Sequence, residues 1–299
     1  AVGKMAEIPS DLAVTQGQPG AFTSFFGPDP LNLLGVVILT SLGTWGLPQM
    51  IGKFYAIKDE KSINTGTVIS TVFAVVVSGG CYFLGGFGRL FDHPQIYDKH
   101  TGTVIFDSII PHMLSTLPDI LIGIVVVLVL SASMSTLSSL VLTSSSTMTL
   151  DLIKGNIVKH MSEKKQIVTM QVLIIFFIVV SVVLALDPPT FIAQLMGISW
   201  GALAGAFLAP FLYGLYWKRV TKSAVWASFV CGIGITVSNM LFHYIESPIN
   251  AGAAAMAAGL IVVPVVSFVT PKMKKEKTEE IFKCYEEKVT STKKRSLER

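Results

Sequence analysis

Between Ser131 and Thr149, 12 of 19 residues are Ser or Thr and none is charged. The run sits inside a longer apolar stretch of about 119–150. In water it would make a poor helix, because these hydroxyls compete for the backbone and favour caps and turns. Inside a bilayer the balance reverses. There the backbone must satisfy its own hydrogen bonds, and hydroxyls fold back on the i−4 carbonyl or face other helices or an ion path. A segment of this kind is compatible with one class of fold, a helix in a membrane.

The rest of the chain agrees. Only 14% of its 299 residues are charged and its mean hydropathy is +0.63, against about 25% charged residues in soluble domains. A bilayer core about 30 Å thick needs roughly 20 apolar residues per helix. Seven stretches qualify, at about 31–52, 67–88, 119–150, 167–187, 190–217, 221–243 and 250–270. The expected fold class is an all-α integral membrane protein, one bundle in the lipid bilayer rather than two soluble domains.

Lys and Arg set the expected orientation. If the first span runs inward, the cytoplasmic segments 53–66, 151–166, 218–222 and 271–299 hold 20 of the 23 basic residues. Outside remain Lys4, Arg89 and Lys99. The expected organisation is an external segment 1–30, a helical bundle 31–270, and a cytoplasmic Lys/Glu-rich tail 271–299. The first residues, Ala-Val-Gly, have no initiator Met and no leader pattern, and 1–30 reads as an external loop between helices. The expectation is the C-terminal part of a longer polypeptide whose N-terminal helices are missing.

Several functions are excluded. The net charge of +4 comes mostly from the tail, where Glu276, Glu279, Glu280, Glu286 and Glu287 dilute it, so nothing points to nucleic acid. Cys81, Cys231 and Cys284 lack metal or redox spacing. His93, His100 and His112 share one external loop without a ligand pattern. Gly46 and Gly52-Lys53 are one residue too far apart for a phosphate loop, and Phe54 stands where a hydroxyl is needed. No nucleophile–base pair marks an enzyme.

Three features remain. In Ser41-Leu-Gly-Thr-Trp-Gly-Leu-Pro48, two glycines add backbone freedom, and Pro48 removes a donor and crowds the Thr44 carbonyl. A break at mid-membrane is where transporters expose backbone to substrate and ions. Next, Ala132, Ser135, Thr136, Ser139 and Thr143 share one helical face. Sodium is a hard cation suited to oxygen ligands, but small hydroxyls also pack helices. Composition leaves both roles open. Last, Gly201 and Gly205, in Trp200-Gly-Ala-Leu-Ala-Gly-Ala-Phe-Leu-Ala-Pro210, form a small-xxx-small face for close helix packing, with a kink expected at Pro210.

Those residues carry a resemblance. Met134-Ser-Thr-Leu-Ser, Ser145-Ser and Thr149-Leu-Asp151-Leu resemble a helix of the sodium/solute symporter family, its sodium/proline branch most of all. Gly43, Gly46-Leu-Pro48 and Ile51-Gly-Lys-Phe54-Tyr-Ala-Ile resemble the same branch's broken helix and the loop after it. Trp200, Gly205-Ala-Phe and Pro210, then Trp217-Lys-Arg-Val-Thr221, fit a later helix and its basic loop. The resemblance implies a LeuT-type inverted-repeat fold, with spans one to five as the second repeat and two extra helices. It implies a sodium site that takes the Ala132 carbonyl and the Ser135 and Thr136 hydroxyls, its other ligands lying on an absent helix.

The expected function is sodium-coupled symport of a small organic solute across the plasma membrane, an amino acid such as proline or a related carboxylate. Thr40, Ser41, Thr44, Trp45 and Pro48 are the candidate substrate or gating residues. Where proline transporters carry aromatic residues this chain has Thr40 and Thr44, and the amide and Tyr typical of sugar transporters are absent at Ser41 and Thr44. A proton-coupled carrier is the nearest alternative; it would want an Asp, Glu or His inside a span, and the spans hold none away from their ends, which leaves the missing N-terminal helices to supply one. A non-transporting sensor on the same fold would need a signalling domain, for which a 29-residue tail is too short.

Overall fold

In the computed structural model the chain is helical throughout, with a single isolated bridge between Tyr97 and Val104 among the described residues. The described residues are 2–9, 17–54, 57, 59–91, 93–98, 102–158, 160–188 and 191–285. The last part of the expected tail, 286–299, and His100 lie outside them. Eleven α-helices follow one another among the described residues: α1 (Val2–Glu7), α2 (Pro30–Ser41), α3 (Pro48–Phe54), α4 (Glu60–Gly86), α5 (Phe106–Leu114), α6 (Asp119–Thr147), α7 (Glu163–Leu186), α8 (Ile192–Tyr216), α9 (Lys222–Phe242), α10 (Pro248–Val269) and α11 (Lys275–Phe282).

Among the described residues, six helices are long and apolar enough to cross a membrane: Lys61–Leu90, Asp119–Ile157, Glu163–Leu186, Ile192–Tyr216, Lys222–Phe242 and Pro248–Val269. The sequence predicts seven spans. The seventh is the first in the chain, and it is not continuous. Its apolar helix stops after Pro30–Gly46, because Pro48 drives Leu47 out of the helical region, to ψ 119°. The helix after Asp119 runs past the expected boundary at Leu150, changing to a π-helix over Met148–Ile157.

Two compact units divide the chain, Ala1–Phe87 with Ile192–Arg299, and Gly88–Phe191. In the first, α8, α9 and α10 pack through residues without side chains. A Cβ on Gly201 would sit 2.5 Å from the Gly252 Cα, and one on Gly205 would sit 3.0 Å from the Ala255 Cβ. The expected small-xxx-small face of α8 is therefore a contact surface, which is how helices associate where no hydrophobic effect drives them together.

Helix α8 continues through Pro210, and α10 through Pro264. Each proline lacks the N–H that would bond the carbonyl four residues earlier, which frees the carbonyls of Ala206 and Leu260. Neighbouring helices supply the missing donors. The buried Ser228 hydroxyl of α9 donates to the Ala206 carbonyl at 3.2 Å, and the Tyr213 hydroxyl of α8 donates to the Leu260 carbonyl at 3.0 Å. Ser228→Ala is expected to lower stability in detergent by about 1 kcal/mol. In a Pro210→Ala background the same change should cost little, since the N–H gained by that substitution then meets the Ala206 carbonyl. Thermal unfolding of the four variants checks this; equal losses in both backgrounds would refute it.

Helix α2 docks on this bundle. Asp29 caps its start, accepting from the Asn32 N–H at 3.1 Å, with Pro30 at the first position. Leu39 is fully buried among Ala204, Leu208 and Met256. Ser247, just ahead of α10, donates to Asn32 Oδ1 at 3.2 Å.

Candidate functional site

The broken helix brings five of the expected site residues together. After Ser41 the chain tightens into a 3₁₀ turn, Gly43–Gly46, then extends at Leu47 before α3 begins. The Trp45 N–H bonds the Leu42 carbonyl at 3.1 Å, and the Leu47 N–H reaches the Thr44 carbonyl only at 3.5 Å. Thr40 and Thr44 turn their protons inward, donating to the carbonyls of Val36 at 2.8 Å and Ser41 at 3.0 Å. A hydroxyl bonded in this way keeps its lone pairs for another partner. Trp45 is 60% exposed, and Ser41 and Pro48 are exposed beside it.

The glycines of this break do more than loosen the helix. Gly43 lies against Trp200 and Met256, and a Cβ on Gly46 would sit 2.7 Å from the Ala204 Cα and 2.9 Å from the Leu208 Cβ. One side of the turn is thus pressed onto α8 and α10 while Ser41, Trp45 and Pro48 stay open. Sequence reasoning saw the freedom of these glycines and missed the contact, because the partner lies more than 150 residues away in the chain.

The hydroxyl-rich helix belongs to the other unit, Gly88–Phe191. Its hydroxyls divide by face. Val141, Ser145 and Thr149, at a four-residue spacing, are buried. Ala132, Ser135, Thr136, Ser139 and Thr143 are all exposed, so the face singled out from the sequence is not the face that packs within its unit. The Thr136 hydroxyl donates to the Ala132 carbonyl at 3.1 Å. Ser139 donates to the Thr136 carbonyl at 2.9 Å and Thr143 to the Ser139 carbonyl at 2.8 Å.

These back-bonds to the preceding turn are the ordinary ones for Ser and Thr in a helix. With its proton donated inward, Thr136 Oγ1 presents lone pairs outward, while the Ala132 carbonyl accepts both this hydroxyl and the Thr136 N–H of the helix ladder. Among the described residues no group of three or more His, Cys, Asp or Glu could hold a metal ion. The ligands offered here are neutral oxygens. His93, between α4 and α5, stacks on His112 of α5 at 5.1 Å, and His93 Nδ1 accepts the Gln95 N–H at 3.3 Å, capping a short 3₁₀ turn.

A profile described as the sodium:solute symporter family matches residues 2–232. The sodium/pantothenate symporter of Haemophilus influenzae is 27% identical over 268 residues, which is 87% of this chain and 52% of that protein. An osmoregulated proline transporter of Bacillus subtilis is 27% identical over 252 residues, 82% of this chain and 50% of its own length. The sodium/proline symporter of Escherichia coli is 29% identical over 216 residues, 68% of this chain and 42% of its own. The chain spans about half the length of the curated relatives it matches. No solved structure matches it.

Proposed function

The chain belongs to the sodium:solute symporter family, and from that membership we propose that it carries half of the machinery of a sodium-coupled solute transporter. On this reading spans one to five form the second repeat of a LeuT-type core, two helices follow, and N-terminal helices of the same polypeptide complete it. In keeping with this, the apolar windows of α4, α6 and α7 have no buried residues, which leaves faces for lipid and for further helices, and the chain spans about half the length of its curated relatives. The N-terminus of the chain faces outward and its C-terminal tail lies in the cytoplasm, in keeping with the distribution of Lys and Arg.

Sodium is held by the Ala132 carbonyl and the Ser135 and Thr136 hydroxyls, with further carbonyls from the absent half. What supports this is the family match across this helix, together with the exposed, uncharged face on which Ala132, Ser135 and Thr136 stand. One sodium ion entering down 100 mV releases about 2.3 kcal/mol, available to drive solute uphill.

The solute meets the broken helix at Thr40, Ser41, Thr44, Trp45 and Pro48. Two relatives are named for proline and one for pantothenate, and both compounds carry a carboxylate. A small carboxylate-bearing solute is therefore the substrate class. The test is uptake by the full-length protein in vesicles, with proline, other amino acids, pantothenate, short carboxylates and a sugar. Uptake of a carboxylate should require sodium and vanish when choline replaces it. Uptake driven by a proton gradient without sodium, or a preference for the sugar, would overturn the proposal.

A further inference from the structure

One end of the α8–α9–α10 bundle is built as a flat basic surface. Helix α8 ends at Tyr216, α9 begins at Lys222 and α10 ends at Val269, so the connections 217–221 and 270–274 lie side by side. Arg219 ties them. Its Nε donates to the Ser267 carbonyl at 3.4 Å and its Nη2 to the Phe268 carbonyl at 3.1 Å, satisfying carbonyls at the end of α10 that lack helical partners. The guanidinium also lies 4.8 Å over the Phe268 ring. The Thr221 and Thr270 hydroxyls meet at 2.7 Å.

With the arginine turned inward, the outward charge falls to lysines. Lys218, Lys222, Lys272 and Lys274 are all exposed, and none has an acidic partner among the described residues. The following helix folds back to the same end: Lys218 Nζ lies 5.4 Å over the Phe282 ring, and the Tyr285 hydroxyl donates to the Leu215 carbonyl at 3.0 Å. Within α11, Glu279 pairs with Lys275 at 3.8 Å.

Aromatic residues mark the depth of this surface. Tyr216 is 76% exposed at the end of α8 and Trp226 is 68% exposed in the first turns of α9. Trp217 packs between Tyr213 and Phe268, with centroids at 5.8 and 5.4 Å. Tyr and Trp settle where apolar core meets headgroups, which places the adjacent ammonium groups at the level of the lipid phosphates. Clusters of four or more basic residues directly beyond a membrane helix attract anionic lipid.

We propose that this surface binds the anionic phospholipid headgroups of the leaflet at its end, with Lys218, Lys222, Lys272 and Lys274 supplying the charge. Ammonium groups on flexible stems act as point charges without a fixed fork geometry. The surface therefore selects for negative charge over a particular headgroup, taking phosphatidylglycerol and phosphatidylserine alike and leaving phosphatidylcholine.

The test places the full-length protein in nanodiscs of phosphatidylcholine with increasing phosphatidylglycerol and measures lipid retained on extraction by native mass spectrometry. Each Lys→Gln change should lower phosphatidylglycerol retention about fivefold, and the four together by about a hundredfold or more. The four Lys→Arg changes keep the charge and should keep retention, which separates loss of binding from loss of fold. Raised salt should weaken retention by the wild-type protein. Retention unchanged in the four-Gln variant would overturn the proposal, as would loss in the four-Arg variant. So would displacement of the lipid by free inorganic phosphate, the behaviour of a site for soluble anions.

Discussion

Thr136→Ala in the full-length protein is expected to raise the sodium concentration needed for half-maximal uptake by tenfold or more, with the amount of protein in the membrane unchanged. The side chain is exposed within its unit, and its one bond is to the Ala132 carbonyl of its own helix. Removing it therefore disturbs no packing there. What it removes is one oxygen from the proposed sodium site and the proton that orients that oxygen. Loss of one such partner costs about 1–3 kcal/mol, roughly five- to a hundredfold in affinity. Thr136→Ser keeps the hydroxyl and should stay near wild type. Thr143→Ala removes a hydroxyl of the same face two turns away, bonded at 2.8 Å to the Ser139 carbonyl, and should leave sodium dependence unchanged. Sodium dependence unaltered in Thr136→Ala, or altered equally in Thr143→Ala, would sink the assignment.

Gly232→Ala should be among the most damaging single methyls at the described glycines. A Cβ at this position of α9 overlaps the Gly205 carbonyl and the Ala206 nitrogen of α8. These are backbone atoms in a helix, so relief requires moving one helix against the other. Ser228 lies one turn earlier on the same face of α9, and its bond to the Ala206 carbonyl would be lost in that movement. The expected cost is about 3 kcal/mol or more, seen as a large fall in thermal stability in detergent. Gly234→Ala, two residues on, is the control. Nothing lies within 4 Å of its added Cβ, and exchanging glycine for alanine in a helix should be neutral or stabilising by up to about 1 kcal/mol. Similar behaviour of the two variants would mean that α8 and α9 do not touch at this point.

Much of the architecture is legible in local composition. Six apolar stretches become helices, four of them within about four residues of their expected limits, while those at 67–88 and 119–150 extend to Lys61–Leu90 and Asp119–Ile157, because apolar runs are a property of the chain itself. The break at Ser41–Pro48 is legible for a similar reason. Proline and glycine act on the backbone where they stand. There the first span divides, as expected, into two short helices joined by a 3₁₀ turn. What escaped is the division of hydroxyls between faces. Ser145 and Thr149 resemble Ser135 and Thr136 in kind, yet the first two are buried and the second two exposed. Which face is covered depends on the neighbouring helix, and helical periodicity relates positions on one helix without naming the partner.

The amino-acid sequence by itself determined the elements: apolar helices of membrane length, the interruption in the first of them, and one neutral oxygen-rich face on α6. Each follows from interactions within a few residues, where the backbone's own hydrogen bonds and the absence of charge decide the outcome. Tertiary structure alone decided how the defects in those elements are repaired. Pro210 and Pro264 each free a carbonyl as a local event, but the hydroxyls that answer them, Ser228 and Tyr213, lie 22 and 47 residues from the carbonyls they meet. Gly46 and Gly232 likewise admit neighbours that no local pattern names. Pairing of this kind is set by which helices pack together, and it enters only when the chain has folded.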